Sequence, residues 1–273
     1  MSTHSLASST PIVLTIAGSD SGGGAGIQAD IKSISATGGY ACSVITAITA
    51  QNTCGVSGIF PIPLEHVEKQ LDAVFGDLKV VAVKIGMLAD TEIISLVAEK
   101  LRQYKPKFVV LDPVMVATSG DMLLQQSAVG TLKSELLPLA DVVTPNLPEG
   151  AALTGLPLPT NEQEMSLMIK QLHSLGSKSV LLKGGHLEKD DKSNDLLIMG
   201  DELQVFSAKR VATKNTHGTG CTLSSAIASY LAQGKPLIDA VANAKHYISG
   251  AIEHADQLDI GSGHGPVHHF YAI

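Results

Sequence analysis

The chain has 273 residues, of which 44 % are hydrophobic, 16 % charged and only 4 % aromatic, with no Trp. A formal net charge of −7 without a basic stripe argues against nucleic acid as a partner. No apolar run approaches the ~20 residues a spanning helix needs, so no membrane is expected, and the first ten residues are too polar for a signal peptide. Cys42, Cys54 and Cys221 show neither metal-ligand nor disulfide spacing, which suits a reducing, cytoplasmic setting.

Strand-like and helix-like segments alternate along the chain. Ile12 to Ala17 reads as a strand closed by Gly18, and 24–37 as a helix. The β-branched run Cys42 to Ala50 is a second strand, and a helix over 63–75 has Pro63 near its start. Val80 to Ile85 is a strand, 90–103 a helix, Phe108 to Leu111 a strand and 125–136 a helix. Asp141 to Val143 is a very short strand, 161–175 a helix, and Ser179 to Leu182 a strand ended by Lys183-Gly184-Gly185. Runs 194–199 and 202–206 flank Gly200-Asp201 as an edge hairpin. Helices over 219–233 and 236–255 complete the pattern. This order predicts a flexible segment 1–10 and one α/β domain over 11–273. Its core of Val, Ile, Leu and Ala suits a mostly parallel sheet covered on both faces. Ligands of such sheets bind outside the carboxyl ends of the strands. Gly18, Gly86, Asp112-Pro113, Asn146 and Gly184-Gly185 fall at those ends.

The most informative stretch is Lys214-Asn215-Thr216-His217-Gly218-Thr219-Gly220-Cys221, which runs straight into a helix of small and apolar residues. Gly218 and Gly220 let backbone N–H groups converge on one point, and the helix N-terminus adds partial positive charge. Such a turn holds an anion, most usefully one that forms during a reaction. Cys221, on the first turn, is expected to have its thiolate stabilised there. His217 is either part of this chemistry or shapes the turn.

The segment Gly18 to Gly26 invites a dinucleotide reading, but a G-x-G-x-x-G frame from Gly22 meets Ile27, and no phosphate loop ending in G-K-[ST] exists. What remains is a turn that brings backbone close to a small ligand. Asp30 is either a polar helix position or a ligand contact. In Asn146-Leu147-Pro148-Glu149, Glu149 either caps a helix or, with Asn146, holds hydrated Mg²⁺, and Asp112 is a second candidate carboxylate. Lys183 ends a buried strand, where its charge needs a partner such as a phosphate. His264, His268 and His269 match no zinc spacing.

The segments TIAGSDSGGGAGIQADIK, SVITAITAQNT, KIGML, VLDPVM, TPNLPE, KGGH, KNTHGTGCTLSSAIA and GPVHHF occur in this order. Together, over residues 11–271, they closely resemble the hydroxymethylpyrimidine/phosphomethylpyrimidine kinases of thiamine biosynthesis, within the ribokinase-like superfamily. The resemblance implies a three-layer αβα sandwich with a small edge hairpin, and ATP with Mg²⁺ as co-substrate. It implies phosphorylation of 4-amino-5-hydroxymethyl-2-methylpyrimidine to the monophosphate, then to the diphosphate. Gln51, Asp30, Gly18, Met87 and Val114 would form the pyrimidine pocket. Asn146, Lys183 and Thr216 would take the nucleotide, Glu149 and Asp112 the metal, and Gly218, Gly220 and Cys221 the anion hole. Sugar kinases of the superfamily carry Asp where this chain has Cys221, which leaves the general base open. The family also suggests a homodimer. The alternative is a pyridoxal/pyridoxine kinase of the same branch, against which Gln51 speaks.

Overall fold

The computed structural model describes residues 10–115, 127–185 and 192–272. Its strands are β1 (Ile12–Asp20), β2 (Tyr40–Asn52), β3 (Gly55–Pro61), β4 (Val80–Ile85), β5 (Phe108–Leu111), β6 (Val142–Val143), β7 (Ser179–Leu182), β8 (Lys192–Met199) and β9 (Glu202–Lys209). Its helices are α1 (Gly26–Ala36), α2 (Leu64–Asp77), α3 (Thr91–Tyr104), α4 (Ala128–Thr131), α5 (Leu147–Thr154), α6 (Glu162–His173), α7 (Thr219–Ala232) and α8 (Leu237–Glu253). The strands form one sheet in the order β3-β2-β1-β4-β5-β6-β7-β8-β9. From β2 to β7 the pairing is parallel, while β3, β8 and β9 are antiparallel to their neighbours.

Helices cover both faces. Leu14, Ile16, Val83, Ile85 and Leu111 point to the side of α2, α3, α5 and α6. The alternate residues Val13, Ala82, Val110, Val142 and Leu181 meet α1, α7 and α8. Because both faces are buried, these strands read as continuous apolar runs rather than alternating ones. Each large aliphatic side chain buried this way contributes roughly 1.5–3 kcal/mol. No helix among the described residues is long and apolar enough to cross a membrane.

Three departures from the sequence expectation have physical causes. Strand β3 was not anticipated, because Gly55, Gly58 and Pro61 suppress a strand signal. It pairs antiparallel with β2, setting Phe60 opposite Ile48, and both side chains are exposed. Strand β1 does not stop at Gly18 but runs to Asp20, with a register shift between Ala17 and Ser19. The helix expected over 125–136 begins, within the described residues, as α4, widens to a π-helical turn at Leu132–Leu136 and tightens to 3-10 at Leu137–Leu139. Pro138, which has no N–H to donate, sits in that last turn. Residues 125–126, and the expected flexible segment except Thr10, lie outside the described residues.

Candidate active site

A cavity of about 760 Å³ opens at the carboxyl ends of the parallel strands. It lies by β1 and β4, where chain order along the sheet reverses, the place such sheets bind ligands.

Its deepest polar end is built by α7 and two strand ends. Gly218 precedes α7 in the left-handed region, with φ +79°, and no side chain caps that helix. The Thr219 N–H donates to the Thr216 carbonyl at 3.3 Å, and the N–H groups of Gly220 and Cys221 are the first-turn donors a ligand could use. A Cβ on Gly218 would stand 1.8 Å from the Gly24 carbonyl oxygen, so only glycine fits. A Cβ on Gly220 would stand 3.2 Å from Lys183 Nζ and 3.5 Å from Asp112 Oδ2, so the helix backbone passes directly over that ion pair.

Lys183 follows β7 and donates from Nζ to Asp112 Oδ1 at 2.8 Å. Asp112 also accepts from Thr144 Oγ1 at 3.0 Å and Ser224 Oγ at 3.4 Å. Burial alone would raise the Asp112 pKa, but the charges of Lys183 and Lys84 outweigh it and hold the carboxyl low. Asn146 is bridged to Lys183 and opens α5. Its side chain accepts from the Glu149 N–H, and Glu149 Oε2 accepts from the Asn146 N–H, both at 2.8 Å. The capping reading of Glu149 is thus realised, and the same side chain also lines the cavity. Burial pushes its carboxyl up to about 7 against the pull of Lys183.

No group of three or more His, Cys, Asp or Glu among the described residues could hold a metal by itself. Asp112 and Glu149 together suit Mg²⁺, which keeps waters and takes one or two carboxylates beside phosphate oxygens. Cys221 corrects the expectation of a stabilised thiolate. Burial pushes its thiol up to about 11, although Lys84 and the Gly26 N–H pull the other way.

The other end of the cavity is lined by Gly18, Gln51, Met87 and Val114. A Cβ on Gly18 would meet Met87 Cε at 2.5 Å, so these two residues touch only because Gly18 has none. Thr46 Oγ1 donates to the Met87 carbonyl at 2.7 Å. The Gln51 backbone is tied to Ser21 Oγ through both N–H and C=O, each at 2.8 Å. Thr49 Oγ1 donates to the Ser19 carbonyl at 2.6 Å and lies 3.1 Å from Gln51 Oε1.

The sequence profile of the phosphomethylpyrimidine kinases matches residues 20–268. A hydroxymethylpyrimidine/phosphomethylpyrimidine kinase of Rhizobium meliloti is 56 % identical over 262 residues, covering 96 % of this chain and 98 % of that protein. The chain belongs to the phosphomethylpyrimidine kinase family. Among solved structures, phosphomethylpyrimidine kinase from Clostridium difficile is 46 % identical with a TM-score of 0.78, covering 88 % of this chain and 99 % of that one. Pyridoxal kinase from Bacillus subtilis, solved as an ADP complex, is 35 % identical with a TM-score of 0.89, covering 96 % and 98 %. The fold is therefore that of the ribokinase-like vitamin kinases, and the chain is a kinase of the pyrimidine family.

Among the site residues expected for this family, Gly18, Gln51, Met87, Asp112 and Val114 all line the one cavity. So do Asn146, Glu149, Lys183, Thr216, Gly218, Gly220 and Cys221. Asp30 does not, which corrects its reading as a ligand contact. It is fully buried in α1, where it accepts from Thr15 Oγ1, Ser225 Oγ and Lys84 Nζ at 2.6–2.9 Å. Sequence reasoning passed over Lys84, although a lysine inside the apolar run Val-Ala-Val-Lys-Ile demands a buried partner. It also passed over Asp20 and the Lys245–Asp195 ion pair, 2.7 Å long, at the opposite wall.

Proposed function

We propose that this kinase transfers the γ-phosphoryl group of ATP to the hydroxymethyl oxygen of 4-amino-5-hydroxymethyl-2-methylpyrimidine. It then phosphorylates the resulting monophosphate to the diphosphate, supplying the pyrimidine half of thiamine. The observation that carries this reading is one cavity lined by the N-terminal turn of α7, by the Lys183–Asp112 ion pair beneath it and by Gln51.

In the first step the alcohol oxygen bonds to the γ-phosphorus as the β–γ bridging P–O bond breaks, ADP leaves, and the hydroxyl proton passes to an oxygen of the transferred phosphate and on to solvent. Phosphoryl transfer passes through a loose transition state, so positioning and charge stabilisation matter more than a strong base. That suits a site whose Cys221 thiol stays protonated near neutral pH. The N–H groups around Gly218 to Cys221 receive the charge of the transferring group, and Lys183 supplies a second donor. Asn146, Lys183 and Thr216 would hold the nucleotide phosphates. Asp112 and Glu149 would hold Mg²⁺, which neutralises phosphate charge when bound. Gln51 offers both a donor and acceptors to a ring nitrogen beside an exocyclic amine. In the second step the attacking oxygen belongs to a phosphate and is already anionic.

The reading extends to a homodimer formed through the β2–β3 ribbon. Ile48 and Phe60 face each other across that ribbon at 49 % and 64 % exposure. A pyridoxal kinase reading has one observation in its favour, the closer backbone match to the Bacillus subtilis enzyme. ATP consumption against a panel of hydroxymethyl heterocycles, with product masses, tests the proposal. Turnover of the aminopyrimidine and of its monophosphate is expected. Turnover of pyridoxal alone would replace this reading with the second one.

A further inference from the structure

Asp20 and His217 lie 197 positions apart in sequence, yet meet inside the protein, with His217 Nε2 2.8 Å from Asp20 Oδ2. Both are buried, Asp20 at 2 % and His217 at 8 % exposure. Asp20 ends β1, and its two oxygens also accept the N–H groups of Gly22 at 2.8 Å, Gly24 at 3.0 Å and Ala25 at 2.8 Å. One carboxylate therefore gathers the whole glycine turn that walls the cavity. With those donors already in place, an ionised Asp20 can only accept, so His217 Nε2 is the donor.

The pair locks the turn that leads into α7. A Cβ on Gly24 would fall 2.4 Å from His217 Cδ2, and one on Gly218 would fall 1.8 Å from the Gly24 carbonyl oxygen. The two turns are thus in van der Waals contact on both sides of the histidine. His217 is held from behind as well, since its N–H donates to the Gly265 carbonyl at 3.1 Å. Asn215 Oδ1 accepts from the Gly265 N–H at 3.0 Å. The segment before the C-terminus therefore presses His217 onto Asp20.

We propose that the Asp20–His217 pair is the positioning device of the active site. It fixes the anion-holding turn of α7 relative to the glycine turn after β1, so that the phosphoryl group and the acceptor oxygen stay in register. The inference rests on the kinase reading above. His217 does not touch the reacting atoms in this account; it acts through the backbone of Gly218 to Cys221. Misplacement of reacting groups by about 1 Å costs on the order of 10²-fold in rate.

The test compares His217→Leu with His217→Gln, since a glutamine amide nitrogen reaches the place of Nε2 and can donate to Asp20. His217→Leu is expected to lower kcat roughly 10²-fold while KM for pyrimidine and for ATP changes less than about threefold. His217→Gln is expected to recover most of that loss. Amide hydrogen exchange of the peptide spanning Gly218 to Thr222, read without turnover, should speed up in His217→Leu and not in His217→Gln. A His217→Leu variant with parental kcat, a glutamine variant as poor as leucine, or unchanged exchange would each overturn the proposal. A parent enzyme that fails to turn over the pyrimidine would sink the proposed function instead, leaving the exchange comparison to decide this inference.

Discussion

Lys84, fully buried, and Lys183, half-buried, lie at the same end of one sheet, each 2.8 Å from a carboxylate, and they serve different purposes. Lys84 also lines the cavity, but it has no exposed surface and meets both oxygens of an equally buried Asp30. Thr15 and Ser225 take up the remaining acceptor capacity of that carboxylate, so the cluster is closed. Burial would strip the Lys84 proton, but the Asp30 charge overrides it and the ammonium is held well above its usual range. Lys183 is 14 % exposed, opens onto the cavity and lies beneath the N-terminus of α7. Its charge is also held up, by Asp112 and Glu149 against burial. A charge whose partners are complete serves the architecture, and one left with an open side is available to a ligand.

Replacing each lysine by a neutral residue should therefore break different things. Lys84→Met leaves the Asp30 carboxylate buried and uncompensated, a loss of about 3–5 kcal/mol of folding free energy. Denaturant unfolding measures it directly, and a variant of parental stability that is merely inactive would erase the distinction. Lys183→Met should lower kcat/KM for ATP by roughly 10²–10³-fold, the effect of removing one donor to a developing anion. Its loss of stability should be smaller than that of Lys84→Met, because Asp112 keeps the charge of Lys84 and the hydroxyl of Thr144.

Glu149 sharpens the same contrast through pH. Its folded value, about 7, lies above the 4.5 of an ordinary glutamate. The folded state thus binds that proton more tightly than the unfolded chain, and the contribution is full below 4.5 and lost as pH rises through about 7. In the presence of chelator, unfolding free energy should fall over that window by up to roughly 3 kcal/mol. Glu149→Gln should flatten the slope, and a slope that survives the substitution would assign it to another group. Cys221→Ala is expected to have the smallest effect, slowing both phosphorylations alike and by less than about tenfold. A loss of 10²–10⁴-fold confined to the first step would instead mark Cys221 as its general base.

Much of this was legible in the sequence, for reasons that particular residues show. Val80–Ile85, Phe108–Leu111 and Ser179–Leu182 match their strands end to end because central parallel strands are uninterrupted apolar runs. The turn before α7 was legible because its glycines stand out in the sequence, and at Gly218 a positive φ and a backbone contact of 1.8 Å to a would-be Cβ leave room for no other residue. Less visible was anything settled by long-range pairing. Strand β3 exists through its partner β2 rather than through its own residues. Asp30 looked like a ligand contact from its place beside the glycine turn, and only the fold turns it inward to Lys84. Cys221 looked activated because a helix N-terminus favours a thiolate. Its half-buried place between α7 and the sheet, whose desolvation opposes that preference, is a tertiary property.

Under the proposed function both phosphorylations would share one cavity, with Gln51 holding the ring and the α7 turn over Lys183 holding the transferring group. Initial rates of hydroxymethylpyrimidine phosphorylation, measured with added monophosphate at saturating Mg-ATP, test this most directly. The monophosphate should raise the apparent KM for the alcohol without lowering the limiting rate, as two substrates of one site must. A limiting rate that falls while KM stays constant would put the two substrates in different sites and contradict the account.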